Sequence, residues 1–125
     1  LKLAKQKKVS LTILLSVTHQ QLIGWYQRAE VFALTSKVEG QPKVLMEAMS
    51  CACACLTTPF PGNLIKDRIN GLIGTSGDGL ARQLDLLLTQ PGLNRKLGQA
   101  ARQVVIKDYN IWPLIEQEIK LLKQC

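Results

Sequence analysis

The spacing of apolar residues changes period several times along the chain. Leu1 to Lys8 reads as the end of a helix, and Leu11 to Val17, rich in Leu, Ile and Val, reads as a buried strand. Thr18 then has the character of a helix cap, and Gln21 at the third helical position completes a capping box. Leu22, Ile23 and Tyr26 recur at helical spacing, which predicts a helix over His19 to Ala29. Val31 to Thr35 is a short apolar strand and Ser36 to Gln41 a loop. Pro42 suits the first position of the next helix, where its missing N–H would be unpaired anyway, and that helix runs to about Ser50. Cys53 to Thr58 is the next strand, and Pro59-Phe60-Pro61-Gly62 is a loop. Asn70-Gly71 is a turn beside the apolar pair Leu72-Ile73. Three helices follow. Leu80, Leu84, Leu87 and Leu88 mark the first, and Leu93, Leu97, Val104 and Val105 the second. Ile115, Ile119 and Leu122 mark the last, with Asn110 as its cap and Pro113 in its first turn.

Strands that alternate with helices predict an α/β fold: a Rossmann-like parallel sheet flanked by helices, with about four strands. The 125 residues fit one domain or part of one. No GxGxxG and no Walker-type loop occurs, and no internal repeat or low-complexity tract.

Composition narrows the function classes. The chain is 46% hydrophobic and 20% charged, as a globular core requires. Its formal net charge of +7 favours anionic partners such as nucleotides, nucleic acid or acidic lipid headgroups. Aromatics are only 5% and are not interleaved with Arg, so the base-stacking pattern of single-strand binders is missing and no nucleic acid is expected. Lys2, Lys5, Lys7 and Lys8 ahead of Val9 to Val17 mimic a secretion signal, but His19-Gln20-Gln21 follows instead of a small-residue cleavage site. No run of apolar residues is long enough for a transmembrane helix. Cys51, Cys53 and Cys55 alternate, which on a strand puts them on one face as buried thiols, the usage of a reducing cytoplasm. Cys125 and His19 are remote in sequence, so no metal site is expected.

The chemistry concentrates in Glu39-Gly40-Gln41-Pro42-Lys43-Val44-Leu45-Met46-Glu47. The loop Ser36–Pro42 leaves a strand at its carboxyl end, where open α/β sheets bind ligands. The helix that begins near Pro42 turns free N–H groups and its positive dipole end into that loop, an arrangement suited to phosphate. Gly40 lets backbone approach a ligand closely. Lys43 is adjacent, either as a phosphate ligand or as a solvated side chain. Glu47, between one and two turns into the helix, is placed to accept hydrogen bonds from the vicinal hydroxyls of a ribose. Glu39 would lie nearer a transferred group. The opposing reading is two ordinary surface glutamates.

From Glu39-Gly40 through Glu47-Ala48-Met49 and Cys51, the chain resembles the Glu-x7-Glu motif of retaining glycosyltransferases of the GT-B fold, group 1 or family 4. Leu22 to Phe32 resembles the helix and strand that lead into that motif, and Ser36 the small residue before it. Pro59 to Gly74 resembles the segment after the next strand, and Leu97-Gly98-Gln99-Ala100-Ala101-Arg102 the family's late helix. The likeness runs from about Val9 onward.

The resemblance implies sugar transfer, with retention, from a nucleotide-sugar donor, UDP- or GDP-linked, without a metal, to an unknown acceptor in glycan or glycolipid biosynthesis. Glu47 would hold the donor ribose. Glu39, as the catalytic residue, would contact the donor sugar together with Gly40, Gln41, Pro42, Lys43 and Val44 at the sugar and phosphates. The chain would be the second half of the donor-binding C-terminal domain. The N-terminal acceptor domain would lie outside it, as would the Arg and Lys that neutralise the diphosphate, for which Leu1 to Val17 offers no matching pair. A hexosyltransferase that is cytoplasmic, with a peripheral membrane contact, follows by the same likeness. The isolated chain is expected to be inactive. The alternative is a truncated, non-catalytic interaction module that binds no donor. Three positions depart from the family pattern: Ala52 stands for a helix-ending glycine, Ala54 for a proline, and Asn63 near a common glutamate.

Overall fold

A computed structural model describes residues 2–40, 42–110, 115, 119–121 and 123. Its elements are α1 (Lys2–Gln6), α2 (His19–Arg28), β1 (Val31–Leu34), α3 (Lys43–Ser50), β2 (Ala54–Thr57), β3 (Leu72–Ile73), α4 (Gly77–Thr89) and α5 (Pro91–Asp108). The three strands form one parallel sheet in the order β1-β2-β3. Val31 pairs with Ala54 at one end of β1 and Leu34 with Thr57 at the other, and Leu56 pairs with Leu72.

The central strand explains the layering. All four residues of β2 are buried, and its side chains alternate between two cores. Cys55, with Cys53 just before the strand, packs with Tyr26 of α2 and Leu45, Ala48 and Met49 of α3. Ala54 and Leu56 face the other way, with Leu72, Leu87 of α4 and Leu97 of α5. α5 serves both sides, since its Ala101 belongs to the first core. Helices therefore cover the sheet on both faces, as a parallel sheet demands.

Several sequence expectations hold. Thr18 accepts from the amide of Gln21, whose side chain returns a bond to the Thr18 amide, so the capping box forms. The helices marked by Leu80 and Leu93 are α4 and α5. Ile115 and Ile119 are helical, while Pro113 and Leu122 of the same expected helix lie outside the described residues.

Three expectations need correction. Leu11 to Val17 is not a strand: it has no ladder partner, and its side chains are exposed, Leu15 to 92%. A run of apolar residues becomes a strand only where another strand offers it hydrogen bonds, and the described sheet has three strands rather than about four. Pro42 is the cap and not the first helical residue, because its ψ of 105° keeps it extended while its carbonyl receives the first bonds of α3 from Leu45 and Met46. Cys51 ends α3 as its C-cap and is only half-buried, so it reaches the core of Cys53 and Cys55 from the helix end and not from the strand.

Candidate functional site

The sheet's carboxyl end is tied together by polar contacts. The amide of Thr58 donates to the Leu34 carbonyl and its hydroxyl to the carbonyl of Ser36, which binds the loop after β1 to the loop after β2. Asn63 donates to the Thr57 hydroxyl and the Thr58 carbonyl and accepts from the Ile65 amide, so it braces the second loop from within. A cavity of about 330 Å³ opens at this end among Thr35, Lys37, Thr58, Thr75 and Ser76. A larger one, about 400 Å³, lies by Glu30, Ala52, Asn94 and Arg95, near the amino ends of β1 and β2 and away from the glutamates. Size alone therefore does not mark the site.

α3 starts from the first of these loops. Pro42 gives it no side-chain cap, and helix geometry leaves the amides of Lys43 and Val44 without intrahelical acceptors. One further turn along, Glu47 stands half-buried, its side chain 17% exposed. His19 Nε2 lies 2.9 Å from its Oε1, and the Tyr26 hydroxyl lies 3.5 Å from its Oε2. Lys43 Nζ is 3.9 Å from Oε1, but that lysine is 83% exposed, so the pair contributes little. Burial, and then the charge and hydrogen bond of Glu47, push the Tyr26 phenol up from 10 to about 12, so that hydroxyl stays a donor.

The expected site residues divide into two groups. Glu47 and Lys43 come together with Tyr26 and His19. Glu39 sits half-buried in the loop and makes no hydrogen bond or ion pair with another described residue. Gly40 and Val44 are exposed and Pro42 is buried, while Gln41 lies outside the described residues. His19 was expected only as a residue near a helix start. Its ring reaches across 28 positions to Glu47, a contact that no local pattern encodes.

The departures also acquire geometry. Ala52 has φ of 59°, the left-handed conformation that a glycine holds at a helix end. Its carbonyl presses against Gly98 of α5, where no side chain fits.

A three-layer parallel α/β unit with an uncapped helix start and a carboxylate at its carboxyl edge offers a place for a ligand that carries both phosphate and hydroxyl groups. The family of glycosyl transferases group 1 matches residues 1–104, and the chain belongs to that family. Over 104 residues it is 34% identical to GalNAc-alpha-(1->4)-GalNAc-alpha-(1->3)-diNAcBac-PP-undecaprenol alpha-1,4-N-acetyl-D-galactosaminyltransferase of Campylobacter jejuni, a match covering 79% of this chain and 29% of that protein. It is 26% identical over 98 residues to an uncharacterized glycosyltransferase of Haemophilus influenzae, covering 74% of this chain and 28% of the relative. The chain thus spans under a third of the length of these curated relatives.

Among solved structures, sucrose-phosphate synthase from Thermosynechococcus elongatus superposes with a TM-score of 0.83 at 23% identity, over 98% of this chain and 32% of that one. The C-terminal domain of a glycosyl transferase group 1 family protein from Francisella tularensis gives 0.79 at 25% identity, over 88% of this chain and 60% of that one. The fold is that of a GT-B C-terminal domain. No helix of the described residues is long and apolar enough to cross a membrane.

Proposed function

We propose that the chain is the donor-binding part of a retaining, hexosyl-type glycosyltransferase that takes a nucleotide sugar, UDP- or GDP-linked. The observation that carries this reading is the Glu47 carboxylate, held by His19 and Tyr26 one turn beyond the uncapped start of α3. A carboxylate has about four acceptor positions, so the two contacts leave room for the vicinal hydroxyls of a ribose. The amides of Lys43 and Val44 face the diphosphate, with Gly40 and Pro42 in the loop beside it, and Gln41 is assigned to the donor by the family's motif alone. Fixed amides of this kind stabilise the charge that grows on the nucleotide as it departs, usually a large part of catalysis. Glu39, which has no partner among the described residues, acts at the donor sugar. No metal enters this scheme.

The acceptor is bound by a domain outside these residues, and the isolated chain binds donor weakly and does not turn over. The Campylobacter relative is named for an undecaprenol-linked acceptor, which supports a lipid-linked acceptor here as well, met by a cytoplasmic protein at the membrane surface. Lys2, Lys5, Lys7 and Lys8 beside the exposed apolar residues from Val9 to Val17 are consistent with such a surface.

Ligand-detected NMR of the chain against UDP, GDP, ADP and their common sugars tests the reading, with Glu47→Ala as control. Saturation transfer to one nucleotide, lost in the variant, is expected. Transfer to none of them, or transfer unaffected by the variant, overturns the donor site and leaves the alternative, a non-catalytic interaction module.

A further inference from the structure

We propose that His19 is a positioning residue for nucleotide binding, which fixes the Glu47 carboxylate for the ribose through its Nε2–Oε1 contact of 2.9 Å. The inference rests on the reading of Glu47 as a ribose ligand. A glutamate on a helix samples many rotamers, and fixing it costs conformational entropy that a preorganised site has already met. Of the three groups around this carboxylate, His19 makes the short contact, against 3.5 Å for the Tyr26 hydroxyl and 3.9 Å for Lys43.

His19 is itself well placed to do this. It is the first residue of α2, directly after Thr18, and the reciprocal bonds between Thr18 and Gln21 lock that first turn. α2 packs against α3, so the imidazole is presented from one rigid element to a carboxylate on another. The side chain is 59% exposed, so its contact with Glu47 is open to solvent. An imidazole with a proton on Nε2 donates to Oε1 whether neutral or charged.

The other charged or titratable groups of this region are Lys43 and Tyr26, with Cys51 at the end of α3 and Arg102 of α5 beyond it. Burial makes Tyr26 and Cys51 hold their protons more tightly, so both stay neutral near pH 7.

The test measures binding of UDP, GDP and ADP to the full chain and to Glu47→Ala, His19→Ala and His19→Gln. Glu47→Ala abolishes binding if the ribose reading holds. His19→Ala is expected to weaken it about 5-fold, the scale of one ordinary hydrogen bond net of water, and His19→Gln to restore most of it, because the amide still donates. Binding that needs Glu47 but is equal in all His19 variants overturns the role of His19 and leaves the ribose reading intact. Absence of nucleotide binding by the wild type, or indifference to Glu47→Ala, overturns both.

Discussion

Gly98 of α5 and the carbonyl of Ala52 occupy the same small volume: a Cβ built on Gly98 would collide with that oxygen and crowd the amide of Ala54. The obstacle is backbone, at the turn between α3 and β2, and cannot swing aside as a flexible side chain can. Gly98→Ala therefore has to push α5 off the sheet. The expected loss is ~3 kcal/mol, at the upper end for overpacking, read as a fall in the urea midpoint by circular dichroism.

The opposite sign is expected at the other partner of this contact. Ala52 holds φ of 59° without the freedom of a glycine. Ala52→Gly relieves that strain and should raise stability by about 1 kcal/mol. An unchanged or lower midpoint would show that the turn is not strained.

Tyr26 gives a pH prediction. Burial first, and Glu47 second, raise its phenol from 10 to about 12. The folded state thus holds the proton more tightly than the unfolded chain. The stability this contributes is complete below pH 10 and is lost as pH rises from there through about 12. Unfolding free energy should fall across that window, and less so in Tyr26→Phe, where the titrating group is gone.

The thiols of Cys51, Cys53 and Cys55 should react in a set order. Burial pushes all three up: Cys53 to about 11 and Cys55 further still, while the Arg102 charge partly offsets the rise at Cys51. Cys51 is also the one that is not fully buried. Alkylation at mildly alkaline pH, followed by peptide mapping, should modify Cys51 ahead of Cys53 and Cys55. Equal rates at the three would mean that β2 opens more readily than its burial implies.

What the chain's sequence discloses follows from the range of the interactions involved. The start of α2 is written in four consecutive residues, Thr18 to Gln21, and is legible because a capping box is local. The alternation of Cys53, Ala54, Cys55 and Leu56 between two cores is legible for the same reason. Leu11 to Val17 misleads because a strand exists only with a partner, and pairing is not a property of the segment. Glu47 stands out through its spacing from Glu39, yet the group nearest to it, His19, comes from another element and is visible only once α2 lies on α3. Ala52 is an intermediate case. Its position after a helix hints at a left-handed turn, but the reason the turn cannot relax is the approach of Gly98 from α5.

The sheet's all-parallel register also has a consequence for how the molecule comes into being. Val31 finds Ala54, and Leu56 finds Leu72, only after intervening helix and loop have folded back over the sheet. No hairpin exists in this sheet to act as a local nucleus. Pairing must await the collapse of α3 onto the β2 segment, so folding should be slow for the chain's size, with the exposed apolar stretch before α2 open to misassociation in the interval.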